Sequence, residues 1–172
     1  AIGHAHDRGQ RDDRPLPPRL HRGRCRAHDA EDALEVDVEG QTTRFPEEIQ
    51  RLKIEDRGVA TMDSQEFGRL DLASFVCHKS ASANFDGLHQ VHLVANGRTV
   101  TTRKIDGLVG VGRFGVDDDR VYHGCVTGGF LDERVNQERT QFNFDESIVE
   151  SIVRECAQHV RSNAIHDEVE EF

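Results

Sequence analysis

The chain has 172 residues, of which 35% are apolar and 31% charged, and its net charge is −10. This length suits one domain with a real core, and the acidic balance excludes a protein that coats nucleic acid, because phosphate contact calls for a basic face. No apolar run approaches the ~20 residues of a membrane span, and the polar start, Ala1 to Gln10, is not a signal peptide, so no membrane partner is expected and the cytoplasm is the expected compartment.

Residues 1–30 read differently from the rest. They carry the run Arg14-Pro15-Leu16-Pro17-Pro18-Arg19 and no period of 2 or 3.6. Residues 1–28 hold seven Arg against three Asp, a net of +4, which leaves −14 for the remainder. The text fits a disordered arm, the product of a shifted reading frame, or a nucleic-acid-binding arm. The ordered domain is expected over 31–172.

Leu34-Glu35-Val36-Asp37-Val38 alternates apolar and acidic residues, which predicts a strand. Phe45 to Ile49 fits a short helix with Pro46 in its first turn. Leu70 to Lys79 predicts a buried strand, and Ser80 to Gly87 a loop. His89 to Ala95, Asn96-Gly97 and Arg98 to Thr102 predict a hairpin, because a type I′ turn needs positive φ at both central residues. Asp119 to Thr127 predicts a strand broken by Gly128-Gly129. Asp145 to Val160 carries Ile148, Val149, Ile152, Val153, Cys156 and Val160 at helical spacing, with Asp145 or Ser147 as cap. The tail from Asp167 reads as a solvated acidic end. Strands followed by a long helix give an α+β fold: a mixed sheet with helices on one face.

The motifs divide sharply. Gly110-Val111-Gly112-Arg113-Phe114-Gly115 matches G-x-G-x-x-G, but a dinucleotide site needs a helix after it. Here three Asp and a strand follow, so it is read as a loop. His89 and His92, three apart on a strand, point to opposite faces and make a poor metal pair; no metal site is expected. Cys25, Cys77, Cys125 and Cys156 are widely spaced and read as reduced, buried thiols.

The stretch from His123 to Phe142 is a strand, a glycine break, an acidic loop and Val135-Asn136-Gln137-Glu138-Arg139. Apolar anchors at Leu131, Val135 and Phe142 can hold Arg139 so that its planar fork projects toward an anion. The plainer reading of the same residues is a surface Arg paired with Glu133 or Glu138.

Asn136 and Arg139, three apart after a glycine-broken strand, resemble the L-N-x-S-R-E loop in the middle domain of the heat-shock-ninety chaperones. Val94-Ala95-Asn96-Gly97-Arg98-Thr99-Val100 is similar to the V-N-G-R strand-turn of MutL-type mismatch-repair proteins. Both families are GHKL ATPases, and in both the motifs lie in a second, transducer domain that resembles domain two of ribosomal protein S five. The resemblance covers about residues 31–160. It implies that Arg139 reaches the γ-phosphate of ATP held in a neighbouring domain, that Asn136 shapes the loop, and that the helix at 145–160 relays the bound state.

The resemblance also implies where the rest lies. The GHKL pocket needs a Glu/Asn helix motif and Asp-x-Gly-x-Gly, and neither stands here; Asp106 to Gly112 is the nearest run, but it follows the hairpin. The chain, which begins without Met, is therefore read as a fragment whose ATP and Mg belong to an upstream nucleotide-binding domain. It is not expected to bind ATP alone or to be an enzyme by itself. Its partners are that domain and a second copy, since GHKL proteins usually dimerise. MutL-type proteins place Lys in the phosphate loop, so Arg139 follows the chaperones. The alternative is a stand-alone α+β protein-interaction module with no nucleotide dependence. An RNA-binding domain of the ribosomal type is disfavoured by the acidic charge.

Overall fold

The computed structural model describes residues 34–38, 41–45, 51–85 and 88–171. The arm of residues 1–30, Cys25 within it, and the short helix expected after Phe45 lie outside the described residues. Strands β1 (Leu34–Val38) and β2 (Gln41–Phe45) form an antiparallel hairpin. The main sheet has five strands: β3 (Lys53–Ser64), β4 (Gly68–His78), β5 (Gln90–Ala95), β6 (Arg98–Lys104) and β7 (Arg120–Thr127). Their spatial order is β3-β4-β7-β5-β6. Only β5 and β7 pair in parallel; the other pairs are antiparallel, so the sheet is mixed. The fold is α+β.

The hairpin forms where Asn-Gly predicts it. Asn96 and Gly97 have φ of 49° and 74°, the left-handed pair that a type I′ turn requires. From β6 the chain enters a short helix α1 (Asp106–Val109), then a loop, and returns along β7 beside β5. The Gly110–Gly115 run thus leaves a helix and feeds a strand, the reverse of a dinucleotide site. Its first glycine closes α1 at φ 78°.

Alternation along the strands builds two apolar layers. Leu70, Leu72, Val76, Val91, Leu93, Ala95, Tyr122 and Val126 face α3 (Glu146–His159). That helix presents Val149, Ile152, Val153, Cys156 and Ala157, the i, i+3, i+4, i+7, i+8 stripe of an amphipathic helix. Asp145 stands at its N-cap in extended conformation, yet its carboxylate makes no capping hydrogen bond; neither does any other side chain. The helix thus starts at the expected Asp145 but without the expected capping bond, and in its first turn Glu146 pairs with Arg103 of β6 at 2.6 Å. The opposite face carries Ala73, Phe75, Cys77, Val94, Val121 and Cys125. A 3-10 segment, Lys79–Phe85, stands where a loop was expected.

Strand β2, α1 and the helix at Gly129–Asp132 were not foreseen, nor were the sheet edge and the tail. Strand β3 has twelve residues and stays largely exposed, so it lacks the apolar alternation that marks a strand. The tail is not simply solvated: a π turn (Val160–Ala164) leads into α4 (His166–Glu170). Arg57 on β3 donates to Glu168 at 2.6 Å and to the Ala164 carbonyl at 3.1 Å, tying this end to the sheet edge.

Candidate functional site

Strand directions decide what meets what. Because β5 and β7 run parallel, their C-terminal ends, Ala95 and Thr127, lie at one end of the sheet. The Asn96-Gly97 turn follows the first and α2 (Gly129–Asp132) follows the second. Two motifs distant in sequence are thereby neighbours. Asp132 Oδ1 accepts the Asn96 backbone N–H at 2.6 Å, and Asn96 Nδ2 donates to the Asp132 carbonyl at 3.2 Å.

Asn136 organises the loop after α2. Its Oδ1 accepts the backbone N–H groups of Thr140 (2.8 Å) and Gln141 (3.2 Å), and its Nδ2 donates to Thr140 Oγ1 at 3.1 Å. This is the side-chain-to-backbone bonding that lets Asn replace a turn. The Asn136 carbonyl also accepts the Arg139 N–H at 3.0 Å. Val135 and Phe142 close the loop as an isolated antiparallel bridge. Its base is anchored by rings: Phe142 stacks on Phe144 at 4.8 Å, Phe144 meets Phe130 at 5.6 Å, and Phe130 meets Phe67 at 5.1 Å. Leu131 and Phe142 are buried and Val135 packs against the same core, the anchoring role assigned to all three.

Arg139 sits at the loop's turn with φ 55°, left-handed backbone that a non-glycine residue adopts at a cost on the order of 1 kcal/mol. Its side chain is exposed, and Nη1 donates to the Asn96 carbonyl at 3.2 Å. The pairing with Glu133 or Glu138 that the sequence left open is not formed: Glu133 pairs with Arg134 at 3.2 Å, and Arg139 makes no ion pair among the described residues. An exposed hydrogen bond from guanidinium to a neutral carbonyl is weaker than a charge-assisted bond to phosphate. An anion reaching this loop can therefore draw Arg139 away from Asn96.

A second polar cluster, which sequence reading missed, lies within the sheet. Ser82 Oγ is 2.8 Å from His123 Nε2, His123 Nδ1 is 3.0 Å from His92 Nε2, and His92 Nδ1 is 2.9 Å from Thr102 Oγ1. Serine, two histidines and threonine form one chain that joins the 3-10 segment to β7, β5 and β6. The order resembles a nucleophile, a base and an orienting group, but Ser82 and His123 are fully buried and no substrate reaches the hydroxyl. Burial pushes His92 down to about 4 and His123 to about 3, the latter also by the neighbouring His92 and His89, so both rings are neutral. Neutral rings satisfy all three links when each passes its single N–H in the same direction along the chain.

His89, the residue before β5, stacks on Phe114 of the core beneath α3 at 5.7 Å. Its Nδ1 accepts the Tyr122 N–H at 2.9 Å, which leaves Nε2–H to donate to the Gly112 carbonyl at 2.7 Å. That ring is a structural brace between β7 and the glycine loop, and burial lowers its pKa. Cys77, Cys125 and Cys156 are free, buried thiols whose pKa values burial raises. Among the described residues no three His, Cys, Asp or Glu side chains are grouped to hold a metal ion, and no helix is long and apolar enough to cross a membrane.

Comparison with protein-family models, curated proteins and solved structures returned no match. The functional reading therefore rests on the geometry of the Asn96–Arg139 end and on the motifs that compose it.

Proposed function

We propose that this chain is the transducer domain of a GHKL-type ATPase. In this reading Arg139 senses the γ-phosphate of ATP bound with Mg in a separate, upstream nucleotide-binding domain. The observation that carries the reading is the meeting of two motifs 43 residues apart: Arg139 rests on the carbonyl of Asn96, exposed and bound to no carboxylate among the described residues. A guanidinium so placed supplies two things to phosphoryl transfer. It is a planar donor set for equatorial oxygens, and it is a positive charge where negative charge develops. Asn136 holds the loop that carries it.

The relay follows from the same contacts. Arg139 leaving Asn96 for a phosphate loosens the tie between the hairpin and the loop, whose Phe142 shares a core with Val149 and Ile152 of α3. Movement at the phosphate thus reaches the helix face, and from there a downstream domain or a second copy of the chain. A reducing cytoplasm suits the three buried thiols.

A photoreactive group on the γ-phosphate of an ATP analogue tests the contact directly. In the polypeptide that joins this chain to a nucleotide-binding domain, label is expected on residues 131–142. Label confined to the nucleotide-binding domain contradicts the reading and favours a stand-alone interaction module.

A further inference from the structure

Four arginines stand at the sheet end that holds the Asn96 turn, and their partners separate them. Arg69 is committed to Asp71 and Thr61 on its own hairpin. Arg134 lies over the Phe130 ring at 4.2 Å and pairs with Glu133. Arg98 and Arg139 are exposed, and neither makes an ion pair among the described residues.

These two share one face. Arg98 is the cross-strand partner of Ala95, and paired residues project to the same side of a sheet. Ala95 belongs to the core layer beneath α3, the layer that also buries Leu131 and Phe142 at the base of the Arg139 loop. Arg139 Nη1 touches the carbonyl of Asn96, two residues before Arg98. Asp132 turns its Oδ1 to the Asn96 backbone N–H and pairs with neither arginine. In a chain of net charge −10, two exposed arginines that make no ion pair among the described residues flank one turn, Arg98 two residues after the Asn96 carbonyl that Arg139 holds.

We infer that Arg98 and Arg139 together form a two-pronged anion site for neighbouring phosphates, the β,γ end of a nucleoside triphosphate rather than a single phosphate. The inference rests on the transducer reading for its natural ligand and adds Arg98, which that reading does not require. Arg139 meets the terminal phosphate, and Arg98, fixed at the start of β6, meets the next one. The Asp132–Asn96 bonds hold the turn so that the two prongs keep their spacing.

The test uses the 172-residue chain with sodium tripolyphosphate as probe and sodium orthophosphate as control, at constant ionic strength and at millimolar probe, where the weak binding of two exposed side chains is read without the nucleotide-binding domain that ATP itself requires. Side-chain Nε–H resonances of Arg98 and Arg139 are expected to shift along one saturating curve with tripolyphosphate. Orthophosphate is expected to bind roughly tenfold more weakly, and Arg98→Ala to weaken tripolyphosphate by roughly tenfold, the size of one charge-assisted hydrogen bond. Arg98→Lys keeps the charge without the fork and should recover part of that loss. A site that saturates at Arg139 with Arg98 silent, an Arg98→Ala affinity equal to wild type, or no saturable shift at either residue overturns the inference. The transducer reading fails by a different measurement, ATP turnover of the nucleotide-bearing protein, so a silent Arg98 beside a functional Arg139 sinks only the two-pronged site.

Discussion

Ile152→Ala is expected to lower the free energy of unfolding by about 2–5 kcal/mol, the range for truncating a fully buried isoleucine. Ile152 has no exposed surface and sits at the centre of the α3 stripe, between Val149 and Cys156. The removed atoms lose their transfer free energy, and the sheet beneath cannot collapse into the gap without breaking strand register. A domain of this size has only about 5–15 kcal/mol of stability, so the variant should be visibly fragile. Urea unfolding measures it. Glu150→Ala, on the exposed face of the same helix, is the control and should fall within about 0.5 kcal/mol of wild type. A loss under ~1 kcal/mol for Ile152→Ala would mean that α3 is not the element closing this core.

Acidification is expected to be nearly as costly. His92 and His123 are neutral in the folded chain, with pKa values depressed to about 4 and about 3, against ~6.5 in an unfolded chain. Below ~6.5 the unfolded chain binds protons that the folded chain does not, so stability is full above that pH and drains as pH falls toward about 4. For His92 alone the loss is on the order of 3 kcal/mol across the window. The two rings share a hydrogen bond at 3.0 Å and titrate as a pair. One added proton leaves all three links of the chain intact, whereas a second sets N–H against N–H. Carboxylates also titrate near the lower end, so the comparison is with His92→Gln/His123→Gln, whose amides take no proton. Urea unfolding at steps from pH 7 to 4 should show a steeper loss in wild type than in this variant. Equal slopes would assign the acid sensitivity elsewhere.

Local signals carried most of the fold. Asn96-Gly97 specified its hairpin because positive φ is a backbone demand that few residues meet. The stripe on α3 was legible because a helix facing one sheet repeats its apolar residues at fixed intervals. Strand β3 was not legible: an edge strand exposed along most of its length carries charge where a central strand carries Val or Ile. The 3-10 segment was hidden because its partner, His123, lies 41 residues away from Ser82.

The site divides in the same way. Asn136 was expected in the loop, and its shaping role came from the resemblance alone; its Oδ1 does bond the loop backbone. Arg139 was legible as an exposed cation on apolar anchors. Its contact with Asn96 was not, because only the parallel pairing of β5 and β7 brings the two loops to one end. The histidine relay left a faint trace: His92 and His123 each interrupt an otherwise apolar strand, where a buried polar ring needs a partner. Nothing local says that each is the other's partner.

The measurement that bears most directly on the account is ATP turnover by the nucleotide-bearing protein, wild type against Arg139→Ala. Removing one positioned donor from a developing phosphoryl charge is expected to lower turnover by about 10²–10³. Unfolding in urea should be nearly unchanged, since the side chain is exposed and makes one weak bond to Asn96. Arg139→Lys should retain part of the activity, as a point charge without the fork. Turnover in Arg139→Ala equal to wild type, in a protein of unchanged stability, would contradict the phosphate-sensing role and leave the Asn96–Arg139 contact as an ordinary surface hydrogen bond.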